Sequence, residues 1–247
     1  MQQLFQDSMA ICRHFGKPDL FLTMTANLKW SEIEEAPLKE PAVNGKKQTA
    51  ADQPDIVARV FELKKNAVVK EIKEGLFGSC VAYVHTIEFQ KRGLPHMHIL
   101  IFFRPNSRSS CSASIVSDSK CSKKYPKEFQ EATQYGDNGY PQYARPDNGH
   151  FFEKNGHHYD NQDVVPYNPY LSAKYKCHIN VEVCASVEAI KYIHKYIYKG
   201  HDRTTLEIAG EQRDEIKEHL DARYISAAES CWYIFEFNIH GEHPPVY

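Results

Sequence analysis

Residues 80–103 read CVAYVHTIEFQKRGLPHMHILIFF, which is two runs of β-forming residues separated by a short turn. The first run covers Cys80 to Gln90, the second covers His96 to Phe103, and residues 91–95 (KRGLP) lie between them. Runs rich in Val, Ile, Tyr and Phe on both sides of a Gly- and Pro-containing turn predict a β-hairpin. This hairpin decides the fold class, because its two strands are antiparallel and helices as well as strands accompany it in the chain.

Helices and further strands surround this hairpin in the sequence. The long helix that begins at Pro54 and stops before Gly75 is amphipathic, and its predicted buried side consists of Ile56, Val60, Phe61, Leu63, Val68 and Ile72. Other helices are predicted over residues 2–15, 186–199 and 211–222, and strands over 20–25, 178–184 and 231–239. The prediction is an α+β fold with a central, mainly antiparallel sheet of about five strands flanked by helices.

The chain has 247 residues, and we expect a single domain over 1–247. Residues 104–175 are polar and predicted to be mostly a long loop or insertion, and residues 201–247 a C-terminal extension packed on the core. No apolar run reaches the roughly 20 residues of a membrane span, and no secretory signal begins the chain. Seven scattered cysteines favour reduced thiols inside a cell. The net charge of −2 means that any nucleic-acid contact must use local basic patches.

A pair of histidines marks the start of the second hairpin strand. Side chains alternate faces along a strand, so His96 and His98 point the same way and can share one divalent ion. The preceding strand offers Glu88 and Gln90, also on one common face, and the turn can bring either across to the histidines. Two imidazoles and one oxygen ligand suit Mg²⁺ or Mn²⁺ in phosphate chemistry. The alternative is two ordinary strand histidines.

A pair of tyrosines marks the predicted helix 186–199. Ile190, Ile193 and Ile197 form its packing stripe, whereas Tyr192 and Tyr196 lie four residues apart on roughly the opposite side, with Lys199 one turn beyond. A phenol can attack a phosphodiester when a cation assists its ionisation and a metal polarises the phosphate. The alternative is that both tyrosines pack against a neighbouring element.

Together these motifs resemble the HUH endonucleases and, more closely, the Rep nuclease domain of Helitron rolling-circle transposases. The resemblance follows the family's order along nearly the whole chain and rests on FLTMTAN (21–27) with Trp30, EFQKRGLPHMH (88–98), VVPYNP (164–169), HINVE (178–182), KYIHKY (191–196) and the tail 222–232. It departs from the family at Leu28, where proline is usual, and in a shorter stretch after Phe103.

The resemblance implies a role for each of these residues. His96 and His98 would hold a divalent metal, Mg²⁺ or Mn²⁺, with Gln90 or Glu88 as the third ligand and Gln90 preferred. Tyr192 and Tyr196 would be the nucleophiles, Lys199 would assist at the phosphate, and the cut would leave a 5′-phosphotyrosine and a free 3′-OH. The sheet would follow the RRM-like or ferredoxin-like arrangement of Rep nucleases.

The resemblance also implies partners: single-stranded DNA of a transposon end, and a helicase domain in a full-length protein located in the nucleus. Expected DNA contacts come from basic residues near the turn, on the tyrosine helix and in the polar stretch, namely Lys91, Arg92, Lys191, Lys195, Lys123 and Lys124.

Two other hypotheses stay open from the sequence. One is a domesticated, non-catalytic single-stranded-DNA-binding module of the same fold, and the other is a metal hydrolase that uses water as the nucleophile. The DNA sequence recognised, the first tyrosine to attack, the physiological metal, the oligomeric state and whether the chain is an excised domain or a domesticated copy are also open.

Overall fold

The predicted hairpin forms the centre of the main sheet in the computed structural model, which describes residues 2–36, 49, 52–90, 93–104, 125–135, 141–184 and 225–246. In chain order the elements are α1 (Gln2–Phe15), β1 (Leu20–Thr25), α2 (Ser31–Glu35), α3 (Pro54–Lys73), β2 (Cys80–Phe89), β3 (Pro95–Phe103), β4 (Gln134–Tyr135), β5 (Pro141–Gln142), β6 (Phe152–Lys154), β7 (His157–Tyr159), a 3-10 turn (Asn161–Asp163), α4 (Pro169–Tyr175), β8 (Ile179–Val183), α5 (Ala227–Ile234) and β9 (His240–His243).

The main sheet has five strands in the order β8-β1-β3-β2-β9. Every neighbouring pair in it is antiparallel. The predicted α+β fold with a five-stranded antiparallel sheet and flanking helices is therefore confirmed. The short strands β4 and β5, and likewise β6 and β7, form separate two-stranded ribbons.

One face of the sheet is the main hydrophobic core, covered by α3 and α5. Strand alternation sends Leu22, Met24, Met97, Ile99 and Ile101 to this face, and each is at most 1% exposed. Opposite them pack the fully buried helix residues, among them Val57, Ala58, Phe61, Val68 and Ile72. This packing fixes which side chains of the sheet are left to point the other way.

Helix α3 forms where predicted, with Pro54 in its first turn and Lys70 and Lys73 in its last. The assignment of Leu63 to its buried side was wrong, because that side chain is 71% exposed. At about 100° per residue, Leu63 lies two positions and roughly 200° away from the buried Phe61. Lys65 is buried instead, and its ammonium lies 2.7 Å from a Glu62 carboxylate oxygen.

The predicted strand over residues 231–239 was wrong. Residues 231–234 instead form the end of α5, which begins after Ser226, whose hydroxyl accepts a hydrogen bond from the Glu229 N–H at 3.3 Å. Aromatic residues favour a strand locally, but Trp232 is fully buried against Phe61 and Phe89, and this packing overrides the local preference. The last strand is β9, which pairs with the free edge of β2.

In the described part of residues 104–175, which were predicted to be mostly loop, short strands and one helix form. Helix α4 begins after Asn168, whose side-chain oxygen accepts from the Leu171 N–H at 2.9 Å, with Pro169 at its first position. Its Leu171 and Tyr175 join the main core. The predicted helices at 186–199 and 211–222 lie outside the described residues.

The opposite face of the sheet is divided into an apolar and a polar end. Helix α1 covers the apolar end, where Ile11 and Cys12 pack on Phe21, Leu100 and Phe102. The polar end carries the side chains of Thr23, Thr25, Thr86, Glu88, His96 and His98. Buried polar side chains beside a packed apolar region are unusual and mark this end of the sheet as a candidate functional site.

Five of the seven cysteines lie in the part of the chain that the structure describes, and all five are free thiols. Of the helices described, none combines the length and the apolar character needed to cross a membrane.

A buried histidine interrupts the core face near the sheet edge. His85 is 7% exposed, and neither of its ring nitrogens has a hydrogen-bond partner among the described residues. Burial, with the nearby charges of Lys65 and His240, lowers the pKa of His85 to about 3. The ring lies over Gly241 of β9, where a Cβ atom would come within 2.2 Å of the imidazole Cε1. Glycine is therefore required at that position of the edge strand.

Replacing His85 with leucine should make the fold less sensitive to acid. Above pH 6.5 the His85 ring is neutral in both the folded and the unfolded protein. Below that pH, the unfolded chain binds a proton that the folded protein excludes. The free energy of unfolding then falls by up to about 1.4 kcal/mol per pH unit until the folded pKa is reached. Urea titrations at pH 7.5 and pH 5.0 should show wild type losing about 2 kcal/mol more than His85→Leu. His157→Leu, which removes an exposed ring, is the control, and equal losses in all three proteins would contradict the prediction.

Candidate metal centre

Three potential metal ligands meet at the polar end of the hairpin. His96 and His98 come from β3 and Glu88 from β2, and the strand register sets Glu88 directly opposite His96. One ligand atom from each residue lies within 4.8 Å of the others. The His98 Nε2 is 3.0 Å from a Glu88 carboxylate oxygen, and the two imidazole centroids are 4.4 Å apart. Within the described ranges, no other three His, Cys, Asp or Glu residues are arranged in this way.

The two histidines are buried, whereas the carboxylate is partly open to solvent. His96 is 8% and His98 4% exposed, and the Glu88 side chain is 24% exposed. Burial, with the neighbouring His98 next in size, lowers the pKa of His96 to about 3, and the negative charge of Glu88 only partly opposes this. A neutral imidazole is the form that binds a metal, so His96 is ready as a ligand at neutral pH.

Neighbouring side chains hold both imidazoles in place. The Thr25 hydroxyl oxygen is 2.6 Å from His96 Nδ1. Phe21 stacks on the His98 ring, with centroids 5.6 Å apart and planes 2° from parallel. Both contacts come from β1, the strand paired with β3 on the side away from Glu88. Such outer contacts fix the orientation and tautomer of a ligating histidine.

Sequence reasoning did not identify Thr25 or two further histidines near the triad. His178 is the residue whose carbonyl accepts from the Thr25 N–H, and its charge contributes to the lowered pKa of His96. His240 of β9 pairs with Thr86, which also pairs with His98, so all three share one sheet face. The alternating threonines of FLTMT could have indicated Thr25. The sequence held no comparable signal for His240, because the last strand was predicted over residues 231–239 and not at β9.

Gln90, the preferred third ligand from the sequence, lies just beyond the end of β2. Its side chain is exposed, and its backbone closes the turn through hydrogen bonds with Leu94 at 3.0 Å and Gly93 at 2.7 Å. Glu88 belongs to the ligand cluster. The choice of Gln90 as a ligand stays a prediction.

The other residues assigned from the sequence cannot be placed relative to this centre. The proposed nucleophiles and the cation beside them, Tyr192, Tyr196 and Lys199, lie outside the described residues. The same holds for the expected DNA contacts Lys91, Arg92, Lys191, Lys195, Lys123 and Lys124.

The donor set suits a divalent ion that keeps part of its coordination shell open. Two imidazoles and one carboxylate provide three ligands, which leaves positions for water or a phosphate oxygen on an ion such as Mn²⁺ or Mg²⁺. With a doubly charged ion the centre carries a net charge of about +1, because only Glu88 contributes a negative charge. That sign favours a phosphodiester group at the open positions.

Comparison with known protein families places this arrangement in context. Residues 1–101 match the family model described as the Helitron helicase-like domain at the N-terminus. Comparison with curated proteins gave no match. The matched segment runs from α1 into β3 and includes Glu88, His96 and His98. Residues 1–101 are therefore similar to the Helitron helicase-like N-terminal domain.

Proposed function

We propose that this chain is a metal-assisted endonuclease and strand transferase that acts on single-stranded DNA in rolling-circle transposition. The observation that carries the proposal is the Glu88–His96–His98 cluster, which lies inside the segment matched to the Helitron family. The family match suggests a transposase role. The ligand cluster supports a metal-dependent reaction at phosphate within that role.

A tyrosine of the helix predicted at 186–199 acts as the nucleophile. Its phenol oxygen bonds to phosphorus, the bond from phosphorus to the 3′ oxygen breaks, and the phenol proton is released as the 3′ oxygen takes one up. The products are a 5′-phosphotyrosine and a free 3′-OH. One phosphoester replaces another, so the reverse reaction can join strands without ATP. Tyr192 and Tyr196 together permit two successive transfers.

The metal-binding residues contribute by holding charge where the reaction develops it. A bound Mg²⁺ or Mn²⁺ would polarise the phosphate and stabilise the additional negative charge of the transition state. His96 and His98 hold the ion in a partly buried position, where charge interactions are stronger than in water. Lys199 would add a second cation near the attacking phenol.

The same proposal includes the molecular context of the reaction. The substrate is single-stranded DNA at a transposon end, contacted by the basic residues named from the sequence. A helicase domain in a longer protein would supply the displaced strand, and the reaction would take place in the nucleus.

The main test is the formation of a covalent protein–DNA adduct. Labelled single-stranded DNA carrying a candidate transposon end is incubated with Mn²⁺ and run on a denaturing gel. We expect an adduct with wild type, less of it with Tyr192→Phe or Tyr196→Phe, and at least a 100-fold loss with the double variant, because no phenol then remains to attack.

Tyr198→Phe is the matched control, since it removes a phenol from the same segment and should leave the adduct intact. Metal-dependent cutting without any adduct would replace the proposal with a water-using hydrolase. DNA binding without either cutting or adduct would replace it with a non-catalytic binding module.

The third metal ligand can be identified by comparing two variants of the hairpin. If Glu88 completes the site, Glu88→Ala should weaken Mn²⁺ binding about 10- to 100-fold, because one of three protein ligands is lost. Gln90→Ala should then have little effect, since that side chain is exposed at the turn. Isothermal titration with Mn²⁺ measures both affinities. The opposite ranking would assign the third position to Gln90.

The hydroxyl of Thr25 should raise metal affinity without being a ligand itself. When His96 Nδ1–H donates to this oxygen, the lone pair of the neutral ring is on Nε2. Thr25→Val keeps the shape but removes the acceptor, so Mn²⁺ affinity should fall about tenfold, whereas Thr25→Ser should retain it. Thr23→Val is the control, because Thr23 lies two residues before Thr25 on the same face of β1 and pairs with His98 instead of His96. An equal loss in Thr23→Val would show a general packing effect instead.

A further inference from the structure

An open cleft lies beside the candidate metal centre, where β1 ends and α4 leads into β8. Its volume is about 560 Å³. One wall is formed by residues 25–28, the opposite wall by Ser172 and residues 176–178, and Leu94 closes one side. This volume is within the range of about 300–1,000 Å³ typical of sites for small ligands.

The two walls are tied together by hydrogen bonds, so the cleft is formed before any ligand arrives. The Asn27 side-chain amide donates to the Lys176 carbonyl at 2.6 Å. The Trp30 indole donates to the Tyr175 carbonyl at 2.6 Å, and the Thr25 N–H donates to the His178 carbonyl at 3.0 Å. A ligand that binds here does not have to order a loop first, which lowers the free-energy cost of binding.

Two residues that line the cleft are neighbours of the candidate metal centre. Thr25, which lines it, is hydrogen-bonded to His96 at 2.6 Å. His178, also in the lining, is close enough to contribute to the lowered pKa of His96. A ligand in the cleft therefore borders the triad from the β1 and β8 side, whereas Glu88 approaches from β2.

The chemistry of the lining fits a nucleotide. Lys176 and His178 are exposed at the cleft, and none of its nine lining residues is acidic, although the whole chain has a net charge of −2. A lysine ammonium is a compact charge that suits a phosphate. Leu28 and Leu94 are half-buried and present apolar surface on which a base can pack.

The geometry points to a binding site for one nucleotide of the DNA strand, next to the phosphate that occupies the metal centre. Lys176 contacts the phosphate of this nucleotide, and Leu28 and Leu94 contact its base. The inference rests on the proposed function, because the metal centre is what makes the neighbouring ligand a DNA strand. The cleft would then determine which nucleotide is accepted beside the cut.

Abasic-site scanning tests this inference separately from cutting. Binding of labelled single strands is followed by fluorescence anisotropy with Mn²⁺, in the Tyr192→Phe/Tyr196→Phe background that cannot form the adduct. One missing base should weaken binding about tenfold in the protein with an open cleft, since stacking or packing of one base is worth that much. Ser172→Trp fills the cleft, so it should bind intact DNA about tenfold more weakly and lose the sensitivity at that one position.

Lys176→Gln provides a second readout that does not depend on filling the cleft. Loss of one phosphate contact should reduce the slope of log Kd against log salt by about 0.7. Lys70→Gln is the matched control, because it removes an exposed lysine of α3 that does not line the cleft. Circular dichroism and Mn²⁺ affinity verify that each variant is folded, and if Ser172→Trp is not, Lys176→Gln decides alone.

The possible outcomes separate the two proposals. Unchanged base sensitivity in folded Ser172→Trp together with an unchanged salt slope in Lys176→Gln would overturn the nucleotide site. Failure of the proposed function appears instead as the absence of an adduct with the wild-type tyrosines. Binding with the expected abasic position and salt slope, but without an adduct, would keep the nucleotide site and remove the nuclease.

Discussion

The pairing of β2 with β3 is the constraint on which both the core and the candidate metal centre depend. In this register Glu88 faces His96, and the same pairing sends Met97, Ile99 and Ile101 to the opposite face. Because side chains alternate with a period of two, a slip of one residue would exchange the two sets. Three buried aliphatic side chains would then face the polar end of the sheet, and two imidazoles would enter the hydrophobic core. The packing of α3 therefore holds the metal ligands in place indirectly.

Local patterns in the sequence were sufficient to predict this part of the molecule. The hairpin, the helix at Pro54 and the common face of His96 and His98 all follow from periodicities within a few residues. The α5 segment could not be predicted in the same way, because the burial of Trp232 depends on Phe61, which is far away in the chain. Thr25 illustrates the same limit at the site: its contact with His96 exists only because β1 pairs with β3. The tyrosine helix stays a prediction from its sequence pattern.

One face of the sheet has an apolar end and a polar end, and this division explains how the candidate metal centre can be both rigid and accessible. At one end α1 buries Phe21 and Leu100, and Phe21 in turn stacks on His98. The apolar packing thus extends as far as His98, the nearest residue of the candidate metal centre. Beyond it, the Glu88 side chain is partly exposed, and the cleft beside Thr25 opens to solvent. A DNA strand that approaches from this side would meet candidate metal ligands whose side chains are already fixed by the core.

Because the imidazoles are buried, part of the free-energy cost of forming the site is incurred when the protein folds. His96 gives up water, and burial is the largest reason that its pKa falls to about 3. The protein bears this desolvation when it folds, together with the ordering of the ring by Thr25, so a metal ion would meet a neutral, oriented His96. Binding free energy would then not be spent on reorganising the ring, and a bound ion would stabilise the folded state in proportion to its occupancy. A surface pair of histidines would lack this advantage, because each ring would have to be ordered by the metal itself.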